Sequence, residues 1–286
     1  MKGKVCVVTG ATSGIGEVAA IDLARRGARV LIVGRSAERC AATLERVRQA
    51  AGGDPSMTES FVADLSSQAE VRRLADEIGK RCDRLDILLN NAGGMFLARE
   101  ESADGIEMTL ALNHLSYFLL TDRLLPLLKA GAAARIVNVA SDAHRGGRID
   151  FDDIQLRRNY GGWRAYQQSK LANILFTFEL ARRLEGTGIT ANALHPGFVR
   201  TRFFQDFTGW VGFIIKLGAR VAAIGPEAGA RTSIYLATSP EVEGVTGRYF
   251  VKCRPVNPSP RSRDRATAER LWRLSEELTG HAAAVR

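Results

Sequence analysis

Short apolar runs alternate along most of the chain with longer segments of helical apolar spacing. Most of the short runs are continuously apolar, which indicates strands buried on both faces, as in a parallel sheet. The predicted strands are Val5–Thr9, Arg29–Val33, Ser60–Ala63, Leu85–Leu89, Arg135–Ala140 and Thr190–Leu194. The predicted helices between them are residues 14–26, 37–51, 67–81, 103–128 and 163–184.

This alternation predicts an α/β fold, a single-domain Rossmann-type doubly wound parallel sheet of about seven strands with helices on both faces. A helix opening at Pro226, a short strand near Arg248–Val251 and a tail helix near 264–279 complete it. We expect one dinucleotide-binding and catalytic domain over residues 1–286, with 252–286 as a C-terminal extension.

The turn after the first predicted strand carries a glycine pattern, Gly10-Ala-Thr-Ser-Gly14-Ile-Gly16. Glycines permit a tight turn and close backbone approach, and the following helix N-terminus presents N–H groups to a pyrophosphate. The alternative is a glycine-rich turn without a ligand. Its position after the first strand of an alternating fold favours dinucleotide binding.

The end of the second strand indicates which dinucleotide is bound. NAD sites usually place an acid there, whereas this chain has Val33-Gly34-Arg35. A guanidinium suits a 2′-phosphate, so NADP(H) is preferred over NAD(H). Arg35 could instead be an ordinary exposed arginine.

Polar residues also follow the next three predicted strands. Asp64-Leu65 lies where an adenine would bind, and Asn90-Asn91-Ala92-Gly93 and Ser141 follow the fourth and fifth strands. Open α/β sheets bind ligands at this edge. Turn chemistry and helix capping explain the same residues equally well in isolation.

Tyr166 and Lys170 are one turn apart if their segment is helical. A nearby cation favours the phenolate and lowers the phenol's pKa, so this pair has the character of a general acid/base. The same spacing also occurs on many surface helices without a catalytic role.

Composition and charge exclude several classes. The chain has 45% hydrophobic residues, a net charge of +9 and four scattered cysteines, which fits an ordinary globular protein of a reducing compartment. We expect a cytoplasmic protein without signal peptide or membrane span, binding neither metal nor nucleic acid. His144 and His195 are interpreted as turn or core histidines, and Asp152-Asp153 as a solvated pair.

The motifs occur in the order seen in the short-chain dehydrogenase/reductase superfamily, which the chain resembles over nearly its whole length. Leu112-Asn113-His114, Ser141-Asp-Ala-His144, an insertion at 144–162 and Ser169-Lys170-Leu-Ala-Asn resemble its retinol-dehydrogenase-like branch. The resemblance implies an alcohol/carbonyl oxidoreductase in which the cofactor supplies the hydride chemistry.

The resemblance also implies residue roles. Tyr166 is the expected general acid/base, Ser141 holds the substrate oxygen, Lys170 binds the nicotinamide ribose and lowers the phenol's pKa, and Asn113 positions a relay water. The residues expected to bind the cofactor are Gly10, Thr12, Ser13, Gly14, Ile15, Gly16, Arg35, Asp64, Leu65, Asn91, Ala92, Gly93, Tyr166, Lys170, Pro196, Gly197, Val199 and Thr201.

Two apolar segments are expected to contact a substrate, a membrane or a second subunit. The segment 203–215 is unusually apolar, and 203–225 is expected to be a substrate lid, with peripheral membrane contact, a subunit interface or core packing as alternatives. Helix 163–184 is apolar on more than one side, which predicts a homodimer or homotetramer.

The sequence thus predicts an NADP(H)-dependent oxidoreductase acting on an apolar alcohol/carbonyl pair, such as a retinoid or a long-chain aldehyde or ketone. The alternatives are a reductase of a secondary-metabolite or xenobiotic ketone and a non-catalytic NADP(H)-binding regulator.

Overall fold

The sheet contains eight strands among the described residues, in the spatial order β3-β2-β1-β4-β5-β6-β7-β8. A computed structural model of the chain describes residues 1–131, 133–197 and 225–280. The strands are β1 Val5–Thr9, β2 Arg29–Gly34, β3 Thr58–Val62, β4 Ile87–Asn90, β5 Arg135–Val139, β6 Thr190–His195, β7 Tyr249–Val251 and β8 Arg254–Val256.

All neighbouring pairs are parallel except β7 and β8, which form an antiparallel hairpin. Lys252 and Cys253 reverse the chain there with φ of 50° and 61°. A tight hairpin turn requires two consecutive left-handed residues. Lys and Cys are not the Asn, Asp or Gly residues that usually signal such a turn in a sequence. This hairpin explains why the sheet has eight strands and not the seven expected.

Helices cover both faces, as the continuously apolar strands indicated. They are α1 Gly14–Arg25, α2 Ala37–Ala50, α3 Gln68–Gly79, α4 Ser116–Arg123, α5 Leu125–Ala130, α6 Gly162–Arg183, α7 Pro226–Thr238 and α8 Arg265–Thr279. Val7 of β1 belongs to a core that includes Phe118 and Phe176, whereas Val8 faces a second core with Leu23 and Leu236. The doubly wound fold is confirmed.

The predicted helix over 103–128 is wrong in its first part and is interrupted in the rest. Glu101 bridges to Glu107, and both carboxylate oxygens of Glu107 accept backbone N–H groups as the helix begins. A helical turn, Met108–Leu110, then runs into a π-helical turn, Ala111–Leu115, before α4 starts. Single π-turns often mark functional sites, and this one contains Asn113.

The C-terminal extension packs on the outer side of α6. Trp272 of α8 stacks on Phe176 with 5.8 Å between ring centroids and is 3% exposed. Leu171 and Leu175 of α6 form a further cluster with Leu271 of α8. The second apolar side of α6 is therefore covered within the chain, so it gives no support to the expected oligomer.

Among the described residues, no helix has the length and apolar character needed to cross a membrane. Val199, Thr201 and the apolar segment 203–215 lie outside the described residues, and so does nearly all of the expected lid, 203–225.

Candidate active site

The glycine turn packs tightly against the loop after β4. Gly10 and Gly14 have φ of 63° and 57°, and a Cβ on Gly16 would lie 2.4 Å from the Gly10 carbonyl oxygen. The same Cβ would lie 2.5 Å from Asn91 Nδ2. These glycines are therefore required by the turn itself, because L side chains would collide with its backbone or adopt a strained conformation.

The N-terminus of α1 is suited to an anion. Within the described residues, the side chain of Ser13 at the N-cap of α1 makes no capping hydrogen bond, whereas Ser36 and Ser67 cap α2 and α3 by accepting N–H groups. The first-turn N–H groups of α1 thus remain available at the positive end of its helix dipole. Ile15 is buried behind the turn. These residues fit the pyrophosphate of a dinucleotide.

Thr9 and Asn91 join the glycine turn to the loop after β4. The Thr9 hydroxyl accepts the N–H groups of Asn91 and Ala92 at 2.9 and 3.1 Å. Asn91 Nδ2 donates to the Thr9 carbonyl at 2.9 Å. The Asn91 side chain, expected to bind the cofactor, therefore holds two parts of the binding site together. Sequence reasoning missed the role of Thr9.

Two arginines lie at the end of β2. Arg35 is exposed, so its guanidinium is accessible to an anion. Arg39, one turn further on, donates from Nη2 to the Thr12 carbonyl at 3.2 Å. A Cβ on Gly34 would lie 2.4 Å from Thr12 Cγ2, so glycine is needed there. Arg39 was missed, although its spacing from Arg35 on the first turn of α2 is a usable signal.

The remaining strand ends line the same edge. At the end of β3, Asp64 is exposed and its Oδ1 accepts both the N–H and the hydroxyl of Ser66, while Leu65 is buried. Pro196 and Gly197 directly follow β6, and Gly197 has φ of 94°. The structure thus places the described cofactor candidates along one edge of the sheet.

Tyr166 and Lys170 lie on α6, next to the end of β5. Lys170 Nζ is 5.5 Å from the centroid of the Tyr166 ring. The same ammonium donates to the Val139 carbonyl at 3.1 Å, and Lys170 is 4% exposed. The two side chains therefore lie side by side, as their one-turn spacing in the sequence predicted.

Ser141 completes a polar pair with Tyr166. Its Oγ accepts the Ala143 N–H at 3.2 Å, and the Ser141 side chain is also hydrogen-bonded to the Tyr166 phenol. Because a backbone N–H can only donate, the Ser141 hydroxyl proton remains free to be given to the phenol oxygen. This arrangement favours the phenolate.

Burial dominates the pKa values of both α6 residues. Removal from water raises the pKa of Tyr166 to about 12, although the Ser141 hydrogen bond lowers it. Burial also lowers the pKa of Lys170 to about 8. Desolvation therefore outweighs the Ser141 hydrogen bond at the phenol, and the lowering of its pKa expected from Lys170 stays a prediction.

Asn113 holds the loop after β4 through its whole side chain. Its Nδ2 donates to the Gly94 carbonyl and to Ser169 Oγ, both at 2.9 Å, and its Oδ1 accepts the Gly94 N–H at 2.8 Å. A Cβ on Gly93 would lie 3.1 Å from Asn113 Oδ1 and 3.6 Å from Lys170 Nζ. Asn113 and Lys170 thus meet beside Gly93, and the relay water assigned to Asn113 stays a prediction.

Trp163 was missed by sequence reasoning. It is 54% exposed and stacks on the Tyr166 ring, with 5.7 Å between centroids and 27° between planes. Its position three residues before Tyr166, on the same helix face, is the signal that could have found it.

The histidines and acids take structural positions. His144 is fully buried, and His195 Nδ1 accepts the Asp142 N–H at 3.2 Å. Asp153 accepts the N–H groups of Arg157 and Arg158, so it shapes a loop. Within the described ranges there is no group of three His, Cys, Asp or Glu side chains placed to hold a metal ion.

The fold and the glycine turn define a dinucleotide-binding α/β protein. A family model of short chain dehydrogenases matches residues 4–211. Retinol dehydrogenase 14 from Homo sapiens is 44% identical over 98% of this chain and 87% of its own length. Retinol dehydrogenase 13 from Homo sapiens is 42% identical over 97% of this chain and 85% of its own length.

Solved structures are also similar to this chain in fold and sequence. An uncharacterized protein from Mycobacterium paratuberculosis has a TM-score of 0.79 at 36% identity, covering 99% of this chain and 95% of that one. RhlG from Pseudomonas aeruginosa, solved with NADP, has a TM-score of 0.70 at 33% identity, covering 87% and 94%. The chain belongs to the short-chain dehydrogenase/reductase family, in its retinol-dehydrogenase-like branch. It is an oxidoreductase that interconverts alcohol and carbonyl groups with a nicotinamide cofactor.

Proposed function

We propose that the protein is an NADP(H)-dependent oxidoreductase acting on an apolar alcohol/carbonyl pair, with Tyr166 as general acid/base. The observation that carries this proposal is the Tyr166 phenol, hydrogen-bonded to Ser141 and beneath an exposed tryptophan. Two polar hydrogens beside an apolar surface suit a carbonyl oxygen at the end of an apolar molecule.

In this proposal each polar residue has a distinct task. A nicotinamide cofactor held at the glycine turn would supply the hydride chemistry. Tyr166 gives its proton to the carbonyl oxygen during reduction and takes it back during oxidation. Ser141 holds the same oxygen by hydrogen bonding. Lys170, with a pKa of about 8, binds the nicotinamide ribose and returns a proton to Tyr166 through water positioned by Asn113.

Preference for NADP(H) over NAD(H) is supported by the charge at the end of β2. Arg35 is exposed there, Arg39 contacts the glycine turn, and the acid typical of NAD sites is replaced by Gly34 and Arg35. Two guanidiniums beside the adenosine ribose would favour a 2′-phosphate. The NADP complex of RhlG is consistent with this choice but belongs to that protein.

The apolar character of the substrate is supported by the surface beside Tyr166. Trp163 and Leu97 are 54% and 49% exposed, which is unusual for large apolar side chains. The chain at Gly162 packs on Leu97, since a Cβ on Gly162 would lie 2.9 Å from Leu97 Cα. The two exposed residues therefore lie on adjoining segments at the site, and the retinol dehydrogenase relatives are named for an apolar alcohol.

Two further parts of the proposal rest on the sequence. We infer a cytoplasmic location from the four scattered cysteines, which form no CxxC pair and suit a reducing compartment. The homodimer or homotetramer expected from the sequence is kept as part of the proposal, although α8 covers the side of α6 that suggested it. Segment 203–225 is proposed to cover the substrate.

A carbonyl panel tests the function. Purified protein is mixed with NADPH or NADH and with retinal, a long-chain aliphatic aldehyde, a steroid ketone, a quinone or acetaldehyde, and loss of reduced-nicotinamide absorbance is followed. We expect oxidation of NADPH that is faster than that of NADH and greater with the large apolar carbonyls than with acetaldehyde. Tight NADPH binding without oxidation by any carbonyl would instead indicate a regulator.

A further inference from the structure

His144 links Ser141 to the C-terminal extension. It lies in the 3₁₀ turn Asp142–Gly146 directly after Ser141 and is 0% exposed. Its Nδ1 is 2.7 Å from the Ser141 carbonyl oxygen, and its Nε2 accepts the Ser259 N–H at 3.0 Å. The two ring nitrogens therefore contact residues far apart in the sequence.

These contacts fix the tautomer of the ring. A backbone N–H can only donate, so Nε2 must be the bare nitrogen. The ring proton is then on Nδ1 and is donated to the Ser141 carbonyl. Burial lowers the pKa of His144, which keeps the imidazole neutral in this arrangement.

The surroundings hold the ring in place. The Tyr249 ring of β7 packs edge-on against it, with 5.1 Å between centroids. Arg261 donates to the Gly147 carbonyl at 3.2 Å, which ties the same two segments a second time. Ser262 Oγ donates to the Ser259 carbonyl at 2.6 Å and shapes the turn that presents the Ser259 N–H.

We propose that His144 is a positioning residue: its Nδ1–H fixes the Ser141 backbone so that the Ser141 hydroxyl faces Tyr166, and its Nε2 makes this geometry depend on docking of Ser259. The proposal rests on the proposed function, since it assigns importance to the Ser141–Tyr166 contact. Ser141 Oγ already contacts both Ala143 N–H and the phenol, so a shift of its backbone would break one of these bonds.

Two substitutions by amide side chains test the contacts of the two ring nitrogens separately. The side-chain amide of Asn can occupy the position of Nδ1, whereas that of Gln reaches the position of Nε2. His144→Asn therefore keeps the bond to Ser141 and loses the one to Ser259, and His144→Gln does the reverse. Both lose the same packing on Tyr249, so each is the control for the other.

We expect His144→Gln to lower kcat at least about tenfold relative to His144→Asn, with equal Kd for NADPH and equal Tm. The pH profile adds a readout that a packing defect would not change. Because the Ser141 bond lowers the pKa of Tyr166, the apparent pKa of the Tyr166 step should rise in His144→Gln and in Ser141→Ala. The ionisable neighbours of Tyr166, namely Lys170, Tyr117 and Tyr249, are unchanged in these variants.

A backbone substitution tests the link to the extension without touching the ring. Ser259 has φ of −60°, which proline can adopt, and Ser259→Pro removes the N–H that Nε2 accepts. Ser259→Ala keeps that N–H and is the matched control. We expect Ser259→Pro, but not Ser259→Ala, to lower kcat severalfold and to shift the pH profile upward.

The outcomes are distinguishable from failure of the proposed function. If Tyr166→Phe or Ser141→Ala turns over like the wild type, the proposed acid/base chemistry is wrong. If those variants are inactive while His144→Gln turns over like the wild type, the positioning role is overturned. Equal kcat for Ser259→Pro and Ser259→Ala overturns the coupling to the extension.

Discussion

The nucleotide end of the sheet, at the carboxyl ends of β1 to β3, and the catalytic end, at those of β4 to β6, are held in different ways. At the nucleotide end, glycines let backbone pack on backbone, as where a Cβ on Gly16 would reach the Gly10 carbonyl. At the catalytic end, buried polar side chains set the geometry, as where Asn113 holds both Gly94 and Ser169.

This difference has a functional consequence. The nucleotide end binds phosphates through backbone N–H groups and a helix dipole. Because these groups come from one turn and one helix, a short local sequence pattern encodes the site. A site built from buried side chains can tune proton transfer but depends on contacts between distant segments. Substitutions at the nucleotide end should therefore change affinity, and those at the catalytic end should change turnover.

The largest effect is expected at Tyr166. Tyr166→Phe removes the proton donor while keeping the ring, and positioned acid/base groups contribute about 10²–10⁴-fold to rate. We expect kcat to fall by that factor with the Kd for NADPH nearly unchanged, as measured by steady-state kinetics and fluorescence titration. Tyr235→Phe on α7, which loses a hydroxyl bonded to Glu241, is the control. A parallel loss of NADPH affinity in Tyr166→Phe would contradict the separation of the two ends.

Low pH should destabilise the folded protein through a buried histidine at the catalytic end. His114, beside Asn113, is buried against Ser275 at 2.9 Å, and burial lowers its pKa from 6.5 to about 4. As pH falls below about 6.5, His114 is therefore protonated in the unfolded chain but stays neutral in the folded one. The free energy of unfolding should drop by about 3 kcal/mol between pH ~6.5 and ~4, at about 1.4 kcal/mol per unit.

Urea unfolding across this pH range measures that effect. His114→Gln removes the titrating group, so its stability should depend less on pH whatever its absolute value. An unchanged slope in His114→Gln would show that another group carries the acid sensitivity.

At the nucleotide end, Gly16→Ala should weaken cofactor binding. The added Cβ meets backbone at 2.4 Å and forces the turn to shift, and overpacking of this kind costs about 1–3 kcal/mol. We expect the Kd for NADPH to rise about tenfold, measured by calorimetry. Gly79→Ala, where the Cβ would have nothing within 4 Å, is the control and should bind normally. Equal affinity in both variants would show that the tight turn is not needed for binding.

A narrower effect is expected at Arg35. Loss of a charged hydrogen bond costs about 1.5–3 kcal/mol, so Arg35→Ala should weaken NADPH roughly tenfold or more and leave NADH nearly unchanged. Arg48 of α2, which is half-buried and paired with Glu45, provides the control Arg48→Ala. A wild type with equal affinities for NADPH and NADH would remove the basis of this prediction.

The two ends also differ in how well the sequence predicts them. The turn from Gly10 to Gly16 and the β–α alternation are local patterns, and the structure has them where they were expected. The π-helical turn at Asn113 and the left-handed pair Lys252–Cys253 have no local signature in the sequence.

Long-range contacts explain the remaining differences. His144 was interpreted as a turn or core histidine, and its buried position agrees, but its contact with Ser259 spans 115 residues and could not be read from spacing. The second apolar side of α6 suggested a partner subunit, yet Leu271 and Trp272 of the same chain cover it. The sequence also does not show the desolvation that raises the pKa of Tyr166 against the Ser141 hydrogen bond.

Isotope transfer tests the central claim most directly. The protein is incubated with retinal and NADPH carrying deuterium at C4 of the nicotinamide, and the product alcohol is analysed by mass spectrometry for wild type and Tyr166→Phe. The account predicts deuterium on the carbinol carbon with wild type and a loss of about 10²–10⁴-fold in its rate of appearance with Tyr166→Phe. Undiminished transfer by Tyr166→Phe would contradict it.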